Sequence, residues 1–206
     1  MSRALPDDLT GRLVQLIAGL AAFGLSMALM IEADLGLGPW DVFHQGLARR
    51  LPITVGIAVI ATAAVVLLLW IPLRQRPGIG TWCNMALIGL FVDGFLVILP
   101  TPDGLAIRST LLIAGIVLNG AATGFYIGAG LGPGPRDGLM TGLARNGRSI
   151  RVVRTGIELI VLAIGWLLGG TLGIGTMLFA FGIGPLAHIF LPIFDRRRSR
   201  RYLRAT

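Results

Sequence analysis

Asp41 and His44 stand one helical turn apart in the stretch GPWDVFHQGL, and Arg136 and Asp137 are neighbours in GPGPRDGLMTGL. A carboxylate and an imidazole at that spacing share a helix face. An arginine beside an aspartate offers both signs of charge. The chemistry these types support is recognition of a small polar or ionic ligand, with Asp41, His44, Arg136 and Asp137 as the candidate substrate-binding groups. A plainer reading is that both aspartates only balance the positive ends of the helices they begin.

Three further ionisable residues interrupt apolar runs: Asp93, Glu158 and His188. Titratable groups inside hydrocarbon are costly, so they tend to face a bundle interior and carry a role. Histidine titrates near neutral pH, so Asp93 and His188 are candidates for proton coupling. Glu158 follows Arg154 by four residues and also reads as an ion pair reaching toward the membrane surface. No His-Glu-x-x-His, Gly-x-Ser-x-Gly or phosphate-loop pattern occurs, and two histidines are too few for a metal site. The expectation is a protein that is not an enzyme, with no catalytic residue, metal or cofactor. The single Cys83 excludes an intramolecular disulfide.

The elements that must position these residues follow from composition. Of 206 residues 54% are hydrophobic and 14% charged, against roughly 25% charged in ordinary globular domains. The surrounding solvent is therefore a lipid bilayer. Six apolar spans of about 20 residues are expected, at Leu13–Ile31, Thr54–Leu73, Thr81–Leu99, Ser109–Ala129, Arg151–Gly169 and Thr176–Phe194. Between them lie two helices too short to cross, Pro39–Arg50 and Pro135–Asn146. Each opens with proline, which suits the first helical position. The first span is too long for a cleaved signal peptide and is expected to stay in the membrane.

The two short segments repeat one another. At the offset between Asp41 and Asp137, 96 residues (137 − 41), Gly36, Gly38, Pro39, Gly46 and Arg49 fall on Gly132, Gly134, Pro135, Gly142 and Arg145. GIGT at Gly78–Thr81 returns at Gly173–Thr176, and Asp93 and His188 correspond at the same offset of 95 (188 − 93). A chain that repeats three spans must re-enter the membrane from the opposite side, so the expected fold is all-α with two inverted-topology repeats, about 13–100 and about 108–194. This is a single membrane domain, 1–206, ending in a basic tail at 195–206. Short helices dipping in from opposite faces are a device of secondary transporters.

Arginine sets the orientation. The net charge of +8 contains no lysine, and with the N-terminus inside, 15 of the 18 arginines are cytoplasmic. Both termini are therefore expected in the cytoplasm. The tail, RRRSRRYLRAT, suits anionic lipid head groups. With no recognition motif beside these clusters, nucleic acid is not an expected partner. Small residues four apart, Gly120, Gly124 and Gly128, with Ala18, Ala22 and Ser26, permit close helix packing, either within the bundle or against a homodimer mate or another membrane protein.

The motifs GPWDVFHQGL, RPGIGT, GAGLGPGPRDGLMTGL and IRVVRTGIE make the chain similar to the YczE/YyaS/YitT group of bacterial integral membrane proteins, from about Leu13 to Phe194. The resemblance implies a multi-pass protein of the bacterial plasma membrane and brings no substrate or reaction with it. Composition, repeats and motifs together suggest a transporter or permease for a small molecule or ion. The competing expectation is a membrane-embedded accessory or scaffold protein supporting an enzyme or exporter.

Overall fold

The computed structural model describes residues 9–145 and 147–195. Arg3, Asn146 and the arginine-rich run from Arg196 onward, assigned above to lipid head groups, lie outside the described residues. Eight helices follow one another: α1 Leu9–Ala33, α2 Pro39–Arg50, α3 Val55–Trp70, α4 Ile79–Ile98, α5 Leu105–Gly128, α6 Pro135–Ala144, α7 Ile150–Leu167 and α8 Ile174–Phe194.

The two short helices begin as their sequences dictate. Gly38 and Gly134 hold extended backbone just before a proline at the helix start, where its missing N–H leaves no bond unmade. Leu51, extended at φ −115° and ψ 152°, closes α2, and Pro52 after it disfavours helical geometry there. α6 ends at Ala144, earlier than the expected Asn146.

Among the described residues, four helices are long and apolar enough to cross a bilayer: α1, α4, α5 and α8. The pair α2–α3, bent by 115° at its break, makes a fifth if counted as one span. The six expected spans are thus not all matched by length and composition. α3 has 16 residues, or about 24 Å, because Pro72 supplies no N–H to extend the ladder and the chain turns at Arg74 with φ 51°. α7 carries Arg151, Arg154 and Glu158 within its 18 residues.

The bundle is organised on α1 and α5, which run antiparallel with the start of each beside the end of the other. Arg12, near the start of α1, donates to the carbonyls of Ala129 (2.7 Å) and Gly130 (2.6 Å) past the end of α5. Arg108, in the first turn of α5, donates to the carbonyls of Ala33 (2.7 Å) and Asp34 (2.6 Å) at the end of α1. Helix ends leave such carbonyls without intrahelical partners, and a cation suits the negative end of the helix dipole. Small residues allow the close approach: a Cβ on Gly19 would lie 2.8 Å from the Tyr126 backbone, and one on Gly115 2.7 Å from Met30.

The remaining contacts repeat in the same reciprocal way. α4 packs on α1 and α8 on α5, while α2 packs on α7 and α6 on α3. The glycine stripe of α5 seats α8, with Gly120 against Leu186, Gly124 against Phe190 and Gly128 against Phe194. The two GIGT segments make matching bonds, Gly80 N–H to the Leu131 carbonyl (3.0 Å) and Gly175 N–H to the Leu35 carbonyl (2.8 Å). One correspondence fails. α3 packs along α4, whereas α7 and α8 hardly meet.

Candidate functional site

The first turns of α2 and α6 converge on a cavity of about 370 Å³ to which all eight helices contribute lining. α6 is anchored there by Trp70 of α3, whose indole N–H donates to the Pro135 carbonyl (3.0 Å). That ring also presses against Gly138, where no side chain would fit. On α2 the mixed face turns inward, so Asp41 and His44 are 3% and 1% exposed.

At the centre, Asp41 Oδ1 is 3.7 Å from His44 Nδ1 and 3.7 Å from the Arg136 guanidinium. Both distances exceed a hydrogen bond. Arg136 instead lies over the Trp40 ring, 5.1 Å from its centroid, a cation–π contact. Among the described residues, four buried side-chain polar atoms have no hydrogen-bond partner in the protein: Trp40 Nε1, Asp41 Oδ1, His44 Nδ1 and Thr62 Oγ1. All four residues line the cavity. Leaving a buried polar atom unsatisfied costs about 1–3 kcal/mol, a cost that a polar guest in the cavity would offset.

The other ionised groups of the cavity wall already have partners. Asp137 accepts from the Tyr126 hydroxyl (2.8 Å), and Glu158 accepts from Arg154 (2.9 Å). The Arg154–Glu158 ion pair is therefore present, and it lines the cavity. Neither aspartate caps its helix: the N-cap positions are glycines without side-chain caps. Both aspartates stand in the first turns of their helices, where the helix-balancing reading puts them, and Asp41 also lines the cavity with one buried oxygen unpartnered.

Asp93 and His188 are not brought together. Asp93 accepts from Gly56 N–H (2.7 Å) and from the Thr54 hydroxyl (2.5 Å), tying α4 to the start of α3. His188 is exposed and lines the cavity from α8. Asn84 lines the cavity, and Asn119 donates to Ser26 across α5 and α1 (2.9 Å). Sequence reasoning missed Trp40, Thr62 and Tyr126 as site residues, since aromatic and hydroxyl side chains in apolar helices carry no pattern of their own. It also read Arg12 and Arg108 only as topology markers, although they sit at the repeat offset of 96 (108 − 12).

Bilayer-length apolar helices, packed around a charged and partly unsatisfied cavity, define an integral membrane protein in contact with lipid. Residues 10–192 match a family described as "Family of unknown function (DUF6198)", and the chain belongs to that family. It is 39% identical over 182 residues to an uncharacterized protein of Haemophilus influenzae, covering 88% of this chain and 84% of that one. It is 39% identical over 178 residues to the uncharacterized membrane protein YczE of Bacillus subtilis, covering 85% and 83%. A third relative, the uncharacterized protein YyaS of Bacillus subtilis, is 28% identical over 184 residues, covering 86% and 91%. The resemblance read from the repeated motif is met by these relatives. No solved structure matches the chain.

Proposed function

We propose that this protein is a permease that binds a small molecule or ion between its two short helices and releases it on the other side of the bacterial plasma membrane. The observation that carries the reading is the meeting of Asp41 and Arg136. They come from two copies of one sequence motif and face each other at 3.7 Å beside buried polar atoms with no protein partner. The site binds and passes its ligand with no chemical step. Glu158, paired with Arg154, and His188, at the rim, are the groups placed to respond to protons or ions.

In this reading the halves are inverted repeats. The antiparallel pairing of equivalent helices α1 and α5 supports it, as do the exchanged arginines at their ends. α3 and α7 then complete six crossings, with the charges of α7 in its first half snorkelling toward the cytoplasmic surface. Both termini lie in the cytoplasm, as the arginine distribution requires.

Thiol accessibility tests this in a Cys83→Ser background. Ala48→Cys should react with an impermeant reagent from outside intact cells, and Ala144→Cys only after permeabilisation. Ala187→Cys, on the cavity wall, should react from each side of the membrane in a permease that alternates. Reaction of Ala187→Cys from one side alone, under all conditions, would favour the accessory-protein reading.

A further inference from the structure

The chemistry around Asp41 says more about what the cavity holds, and the inference rests on the permease reading of the same site. Three acidic and two basic side chains line the cavity: Asp41, Asp137 and Glu158 against Arg136 and Arg154. Two of the three carboxylates accept hydrogen bonds from protein, Asp137 from Tyr126 and Glu158 from Arg154. Asp41 Oδ1 does not. Arg136 holds a positive charge 3.7 Å away while its guanidinium also lies over the Trp40 ring, and this buried oxygen is left without a hydrogen-bond donor from the protein.

His44 Nδ1 lies 3.7 Å from that same oxygen and is likewise unpartnered. With the proton on Nε2, Nδ1 is an acceptor like Asp41 Oδ1, and neither atom has a donor from the protein. A donor with several N–H bonds and one positive charge satisfies both at once, and an ammonium group has three. An anion placed there would face the buried Asp41 carboxylate. A metal ion has too few ligands, since among the described residues no three His, Cys, Asp or Glu side chains gather to hold one. Around the polar corner the wall is apolar and aromatic, from Phe23, Val59, Ile88 and Phe179. We infer that the cavity takes a small organic primary amine, its ammonium held by Asp41 and His44 and its apolar body lying among these side chains.

The test uses the full-length protein purified in detergent and three probes of one shape: phenethylamine, phenylacetate and 2-phenylethanol. Binding is read by the ligand-dependent rise in melting temperature. Phenethylamine should stabilise the protein, and Asp41→Asn should weaken its apparent affinity about tenfold or more, since a charge-assisted hydrogen bond is lost. Arg136→Gln should leave amine binding intact or tighten it, because the competing cation is gone. This second variant decides the matter should Asp41→Asn fail to fold.

Stabilisation by phenylacetate that disappears in Arg136→Gln would overturn the amine and make this an anion site. Equal stabilisation by 2-phenylethanol, insensitive to Asp41→Asn, would leave an apolar cavity without a head-group subsite. No effect of any probe would also overturn the proposal. None of these outcomes decides the permease reading, which the Ala187→Cys accessibility addresses on its own.

Discussion

The seam between α3 and α4 and the seam between α7 and α8 occupy equivalent places in the two halves, yet one is shut and the other open. In the first, Gly56 and Gly89 press backbone against backbone so closely that neither could carry a side chain. Asp93 then fastens α4 to the Thr54 hydroxyl and the Gly56 N–H. In the second, Val152 stands in the place of Gly56 and is 70% exposed. A side chain at Gly184, the counterpart of Gly89, would meet nothing within 4 Å. Ile150 replaces Thr54 and His188 replaces Asp93, so no latch can form. The two segments share their helices and sequence offset but differ in the residues at this seam. On the permease reading, the loose seam is the present way into the cavity, and the tight one is the seam that must part.

The strongest blow to this contrast is Gly56→Val, which copies the open half into the closed one. Overpacking of this kind costs about 1–3 kcal/mol and sometimes more. The α3–α4 backbones touch here, so the variant should fall at the upper end, with a clear drop in melting temperature. A melting temperature equal to that of the parent protein would mean the tight seam contributes nothing. Next in size is Asp93→Asn, which keeps one acceptor but gives up bonds to a charged oxygen. It should destabilise the protein by about 1.5 kcal/mol, whereas His188→Asn should change stability by less than about 0.5 kcal/mol. Similar losses from both would erase the difference between the seams. The last contrast is between two glycines. Gly184→Ala should change stability by less than about 0.5 kcal/mol, since the open space around it is offset by Pro185, which disfavours helical backbone for a residue with a Cβ just before it. Gly89→Ala should destabilise, because its Cβ would meet the Gly56 carbonyl. Paired thermal melts read both.

What the sequence made legible tracks how local each signal is. Pro39 and Pro135 mark the starts of the short helices, and those starts are observed where proline placed them. The repeat, the glycine stripe of α5 and the Arg154–Glu158 pair were readable because each depends on residues close in the chain or on a fixed offset. α3 was read as longer than it is, since apolar residues continue past Pro72 while the hydrogen-bond ladder cannot. Asp93 and His188 share an offset, and that equivalence concealed opposite situations: one carboxylate is tied to the neighbouring helix, and one imidazole is left at a rim. The four unpartnered atoms at the cavity were illegible for a deeper reason. Whether Trp40, Asp41, His44 or Thr62 finds a partner depends on six other helices, and no spacing along the chain encodes that.

The exchange of arginines between α1 and α5 has a consequence for how such a chain could arise. Arg12 finishes the helix of the second half and Arg108 that of the first, so neither half completes its own longest element. Cut in the loop between α4 and α5 and expressed as two pieces, the protein would regain both clasps only by reassociation. A chain of half the length, carrying one such arginine, would meet the same need by pairing with a copy of itself lying the other way up in the bilayer. Fusion of two such genes would turn a reversible encounter into a permanent one, and would free each copy to change its residues independently.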